Sequence, residues 1–211
     1  VQTCALPILW RGSEGSVAMW FLSGGAIASG PLVSGGFGGW HIVGTGDFNG
    51  DGKRDILWRS TAGHVGIWTM NGAAITGAPI VTVVPTDWSI AGVGDFDGDG
   101  KADILWRNVN GDVAIWLMNG SNIVFGPVLG NVSPGWIIAG VGDFDGNGKS
   151  DILWRGPTGE VAIWFMNGAS IVSGPVVGGA PQSWRIVGAG DFDGNGRADI
   201  LWRSSAGGVA F

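Results

Sequence analysis

Apolar residues occur along this chain in short bursts, each closed by a glycine, asparagine or proline signal, and the arrangement repeats every 48 residues. One period holds four apolar segments. In one copy, segment A covers 88–96, B covers 102–107, C covers 113–118 and D runs from about 122 to 129. Their length and spacing predict short antiparallel strands and few helices. Along C both alternating sets are apolar, with Val113, Ile115 and Leu117 on one face and Ala114, Trp116 and Met118 on the other. A strand of that kind predicts a sheet covered on both sides. Segment A is rich in glycine and alanine, which suits the tightest place in a packed array. Segment D always carries a proline (Pro31, Pro79, Pro127, Pro175), and proline has no N–H to give a central ladder, so D is expected at a sheet edge. Asn71-Gly72, Asn119-Gly120 and Asn167-Gly168 follow C and predict type I′ hairpins.

Counted in order, the chain offers B, C and D of a first unit over 8–33, three complete units over 40–177, then A, B and a stub of C to Phe211. Both ends cut through a repeat, and no linker divides the run, so 9–211 reads as a single incomplete domain. The opening Val1 to Ile8, V-Q-T-C-A-L-P-I, resembles the peptide encoded by the end of a common sequencing adapter. Positions 1–7 match none of their counterparts 48 residues on, whereas Ile8-Leu9-Trp10-Arg11 repeats as Ile56-Leu57-Trp58-Arg59. Residues 1–8 are therefore set aside as adapter-derived, and the single cysteine, Cys4, as foreign.

Between A and B lies the candidate chemistry. Asp95-Phe96-Asp97-Gly98-Asp99-Gly100-Lys101-Ala102-Asp103 sets acids at alternate positions with glycines that allow a sharp turn. Such a loop turns oxygen atoms inward around a hard cation, which points to calcium. The candidate ligands of this copy are Asp95, Asp97, Asp99, the Lys101 carbonyl and Asp103. The other copies offer Asp47, Asn49, Asp51, Lys53 and Asp55; Asp143, Asp145, Asn147, Lys149 and Asp151; and Asp191, Asp193, Asn195, Arg197 and Asp199. An EF-hand would need glutamate at position 12, where Trp58, Trp106, Trp154 and Trp202 stand. The short D-x-[DN]-G-[DN]-G-x-x-D-[IL] form instead resembles the FG-GAP and VCBS repeats over residues 8–211. That resemblance implies an all-β fold, a β-propeller of four-stranded, 48-residue blades with calcium between the first two strands. Three complete and two partial blades are then expected to form an open arc of a larger propeller, of seven blades by the same resemblance. The competing reading is a set of Asx-turns closing hairpins without metal.

Charge changes the picture little. Of 17 acidic residues 13 lie in the four loops, so the net charge of −6 is mostly loop carboxylate, and four divalent cations would bring it to +2. No basic stripe supports nucleic-acid binding. No run of 18 apolar residues suggests a membrane span, and no charged signal sequence opens the chain.

All 13 tryptophans are repeat positions, in series beginning at Trp10, Trp20 and Trp40, and core packing with the indole N–H bonded at a rim is the default expectation. The alternative gives the B-strand set, Trp58, Trp106 and Trp154, with their neighbours Arg59, Arg107 and Arg155, to sugar binding. His41 and His64 each belong to one repeat only and are expected at the surface, and no nucleophile–base arrangement appears. The expectation is a calcium-binding, non-catalytic scaffold for a protein or glycan partner, extracellular or on a bacterial cell surface. A lectin with sites between blades and an accessory propeller of a larger secreted enzyme are the alternatives.

Overall fold

The computed structural model describes residues 7–34 and 38–211, and the adapter-like residues 1–6, with Cys4, lie outside them. Among the described residues all regular structure is strand, in five antiparallel sheets that follow one another along the chain as propeller blades do. The first contains β1 (Ile8–Arg11), β2 (Val17–Ser23), β3 (Ala26–Ser29) and β4 (Leu32–Ser34). The second contains β5 (Trp40–Gly46), β6 (Asp55–Ser60), β7 (His64–Asn71), β8 (Ala74–Gly77) and β9 (Ile80–Val83). The third has β10 (Trp88–Gly94), β11 (Asp103–Asn108), β12 (Asp112–Asn119), β13 (Asn122–Phe125) and β14 (Val128–Asn131). The fourth repeats it as β15 (Ile137–Gly142), β16 (Asp151–Arg155), β17 (Glu160–Asn167), β18 (Ser170–Ser173) and β19 (Val176–Gly179). The fifth has β20 (Trp184–Gly190), β21 (Asp199–Ser204) and β22 (Val209–Ala210).

Segment D is thus not one strand but two, which corrects the four-stranded expectation. In the third blade β13 pairs with the end of β12 through Asn119↔Asn122, and β14 pairs with its start through Asp112↔Asn131. The break falls at Gly126-Pro127, where proline cannot donate, yet the Pro127 carbonyl still accepts the Ile115 N–H at 3.3 Å. Gly126 has its own reason. A Cβ there would stand 2.7 Å from Trp116 Cδ1.

The C-to-D hairpins also differ from the type I′ expectation. Because Asn119 pairs with Asn122, the two loop residues are Gly120 and Ser121, and only Gly120 has positive φ, at 62°. That is the type II′ pattern, which lets an ordinary residue occupy the second place. Only the first blade, with Gly24 and Gly25 at φ 56° and 80°, can take both left-handed positions.

The described residues fall into two compact units, one made of residues up to 45 with 52–86, the other of 46–51 with 87–211. In the first, Val17 and Met19 of β2 pack against Ile56, Trp58 and Met70 of the second blade. In the second, Leu105, Val113 and Ile115 of the third blade meet Ile152, Trp154, Ala162 and Met166 of the fourth. The opposite face of the fourth blade, Leu153, Val161 and Ile163, packs on Ile186, Ile200 and Trp202 of the fifth. Period-two alternation with apolar residues on both faces thus lets the fourth sheet pack on both sides, in keeping with the two apolar faces of strand C. The A strands β10, β15 and β20 run side by side. Space is tight there, since a Cβ on Gly92 would lie 2.6 Å from Val141.

Candidate metal centre

Each acidic loop is shaped before any ligand is considered, because its first aspartate collects the N–H groups of the turn. Asp95 Oδ1 accepts from Gly98 at 2.7 Å and Asp99 at 3.2 Å, and Oδ2 accepts from Gly100 at 2.8 Å. Gly98 and Gly100 sit at φ 80° and 81°, a left-handed backbone that side chains avoid. Asp143 repeats the pattern with Gly146, Asn147 and Gly148, as does Asp191 with Gly194, Asn195 and Gly196. In the first loop Asp47 Oδ1 accepts from Gly50 and Asp51, and Asn49 Oδ1 accepts from Asp51. These bonds hold Asp191 below the usual carboxylate range, the Gly196 N–H contributing most.

The turn brings carboxylates together. One oxygen from each of Asp95, Asp97 and Asp99 lies within 4.8 Å of the others, and the same holds for Asp143, Asp145 and Asp151 and for Asp191, Asp193 and Asp199. Calcium–oxygen distances of about 2.3–2.6 Å place two ligands of one ion no more than about 5 Å apart, so these donor sets fit a hard cation. Lys101 Nζ meets Asp99 Oδ2 at 2.7 Å and draws its pKa down.

The ninth-position aspartates have a second role that the spacing did not announce. Asp103 is 1% exposed; its Oδ2 accepts the Phe96 N–H and its Oδ1 the Met118 N–H, both at 2.8 Å. Asp151 likewise accepts from Phe144 and Met166 at 2.9 Å, Asp55 from Met70 at 2.9 Å, and Asp199 from Phe192 at 2.9 Å. Each clamps the loop or strand C to the start of strand B. Burial pushes Asp103 up to about 7 against the pull of its two N–H donors, with Asp97 and Asp95 adding to the rise. Asp151 moves the same way for the same first reason. In the second loop the close triad is completed by Asp99; in the third and fourth it includes the ninth-position residue. The signal in the sequence was its place as the first residue of an apolar, doubly covered strand.

The tryptophan–arginine pairs are built into the interior. Trp58, Trp106 and Trp154 are 2%, 1% and 1% exposed, as core residues are. Each leans on its strand-C neighbour, Trp106 on Trp116 at 4.7 Å between ring centres. Among the described residues the expected rim partner for the indole is missing at Trp58 and Trp154, whose buried Nε1 atoms meet no acceptor there. Arg107 donates to the carbonyls of Val132, Ser133 and Trp136 and lies over the Trp154 ring at 5.0 Å. Arg59 donates to Gly63, Val84 and Pro85, and Arg155 to Gly159, Ala180, Pro181 and Trp184. One pocket of about 260 Å³ is lined by Trp40, Trp58, Trp68, Ile75, Pro79 and Ile80, almost wholly apolar and without the polar groups that orient a sugar. His41 is exposed, whereas His64 is half-buried beside Trp40 and bonds Ser60 through Nδ1 at 3.2 Å.

Comparison with known proteins places these features. The FG-GAP-like repeat matches three times, at residues 47–106, 95–154 and 143–202. No curated protein matches the chain. Among solved structures, the Tc holotoxin pore of Photorhabdus luminescens is similar over 99% of this chain, with a TM-score of 0.58 and 14% identity. A computationally designed protein is similar over 99%, with a TM-score of 0.52 and 11% identity. The chain spans 11% of the first and 55% of the second, and at these identities the likeness is one of fold.

Proposed function

This chain belongs to the FG-GAP-like repeat family, and on that premise we propose that it is a calcium-binding, non-catalytic propeller scaffold serving a protein or glycan partner outside the cell or at its surface. The observation that carries the reading is the convergence of three carboxylates within 4.8 Å in the second, third and fourth loops. An ordinary turn has no use for that much like charge at one point, and a divalent cation removes the repulsion. Calcium fits better than magnesium, because the ligands come from a flexible all-protein loop whereas magnesium keeps most of its waters. Bound there, calcium would supply neutralisation and a cross-link across the turn. Asp95, Asp97 and Asp99 would hold it in the second loop, Asp143, Asp145 and Asp151 in the third, and Asp191, Asp193 and Asp199 in the fourth. Asp47, Asn49 and Asp51 of the first loop offer a weaker set.

The extracellular placement follows the calcium supply, since affinities of about 10⁻⁴ to 10⁻³ M, typical of extracellular modules, fill only where calcium is millimolar. Isothermal titration of the metal-stripped full chain tests the reading. About four ions are expected, and Asp97→Ala should be the most costly third-position change, because the second loop has four acids where the others have three and an asparagine. Absence of calcium uptake at millimolar concentration would overturn the proposal.

A further inference from the structure

We propose that the four loops bind calcium as one linked array within residues 46–51 and 87–211, each loop raising the affinity of the next. The inference rests on the calcium reading above and concerns how the sites regulate one another. Three contacts, repeated along the chain, carry it.

The first is a backbone bond from loop to loop. The residue that contributes the first carboxylate of one loop also gives its carbonyl to the eighth position of the following loop. Asp47 O accepts the Ala102 N–H at 2.7 Å, Asp95 O accepts Ser150 at 2.6 Å, and Asp143 O accepts Ala198 at 2.6 Å. Ala102, Ser150 and Ala198 each immediately precede the ninth-position aspartate of their own loop. A shift of Asp95 toward an ion therefore pulls on the residue that positions Asp151.

The second is a cationic stem laid over a glycine. The Lys149 side chain passes 3.3 Å from where a Cβ of Gly98 would stand, and Arg197 passes 3.2 Å from that of Gly146. The fourth-position glycine of one loop is thus the seat of the seventh-position side chain of the next. The third joins the loop to a hairpin of the following blade: Phe48 O accepts the Gly120 N–H at 2.7 Å, and Phe96 O accepts Gly168 at 2.8 Å.

The physical consequence is a shared ordering cost. A cation that fixes residues 95–100 also fixes the acceptors on which Ser150 and Gly168 depend, so the next loop meets its ion already partly ordered. Coupling between sites commonly amounts to about 5- to 150-fold in affinity, and by linkage it is reciprocal. The middle loops, tied on both sides, should show it most.

Site-resolved titration of the full chain by nuclear magnetic resonance tests this, with the Gly100, Gly148 and Gly196 amides reporting the second, third and fourth loops. Asp97→Ala disables the second loop without touching any of the three contacts. The expected result is a fivefold or greater loss of calcium affinity at Gly148, with a smaller loss at Gly196. Ser150→Pro removes one donated N–H while keeping every carboxylate, and should weaken the third loop and abolish its response to Asp97→Ala. Should Ser150→Pro fail to fold, Lys149→Ala, which removes the stem over Gly98 together with the ammonium's bond to Asn167 Oδ1, takes its place with a partial loss of that response expected. If wild-type loops bind calcium and Asp97→Ala leaves the affinity at Gly148 within twofold, the linkage is wrong and the calcium reading stands. If no wild-type loop binds, the reading beneath it falls instead.

Discussion

Replacing Arg155 by methionine isolates what the repeated arginine contributes, because methionine keeps most of the stem and removes the fork. Arg155 is 7% exposed, and its guanidinium donates to the carbonyls of Gly159, Ala180, Pro181 and Trp184 while lying 4.9 Å from the Trp202 ring. The bonds to Pro181 and Trp184, at 3.3 and 3.4 Å, are long, so those to Gly159 and Ala180 dominate. Two charge-assisted bonds at about 1.5–3 kcal/mol each and a buried cation–π contact at about 0.5–2 kcal/mol give a gross of about 3.5–8 kcal/mol. Desolvating the guanidinium takes several kcal/mol back. A net loss of about 2–4 kcal/mol is expected, which at a mid-range slope of about 2 kcal/mol per M shifts the urea midpoint by about 1–2 M. The assay is urea unfolding of calcium-free protein followed by tryptophan fluorescence. Arg203→Met is the internal control, because Arg203 is exposed and donates to no carbonyl among the described residues. Arg155→Lys keeps the charge without the fork and should recover little. A midpoint for Arg155→Met within 0.2 M of wild type, or an equal loss for Arg203→Met, would refute the reasoning.

Three further outcomes are expected. Trp154→Ala should cost about 3–5 kcal/mol in thermal or urea unfolding, as for other large buried aromatics, with glycan-array binding unchanged; intact stability with lost sugar binding would restore the lectin alternative. Gly126→Ala should cost about 1–3 kcal/mol by overpacking, because the new Cβ meets Trp116 at 2.7 Å, and a neutral result in calorimetry would mean that Trp116 yields freely. In calcium-free protein the folded Asp103 holds its proton up to about 7 while the unfolded chain loses it near the ordinary value of about 3.9, so its contribution to stability is present at low pH and lost as pH rises between the two. That loss is on the order of 4 kcal/mol, and Asp103→Asn should flatten the slope of urea midpoints measured from pH 4 to 8.

Much of this protein was legible in one dimension. The 48-residue period, the order of strands, the double burial of strand C and the place of the acidic loops are local or periodic properties. Alternation and turn chemistry act over a few residues, so they survive being read without neighbours. The family resemblance rested on the same local motif. The errors were local as well: the hairpin moved by one residue because serine or alanine in the second loop position avoids positive φ, and segment D broke in two at its proline.

What the tertiary structure alone decided is which partner each polar group meets. Asp103 reads as a ligand by its spacing, yet its two oxygens sit on the N–H groups of Phe96 and Met118, seven positions before it and fifteen after. Arg107 reads as a residue that could stack on the next blade or bond loop carbonyls, and only the fold picks out its partners, carbonyls 25 to 29 residues away and the Trp154 ring. Asp95 O reaches Ser150 across 55 positions. None of these pairings leaves a local periodicity, because each forms only when folding within or between blades brings distant backbone groups out of water and next to these side chains and carbonyls.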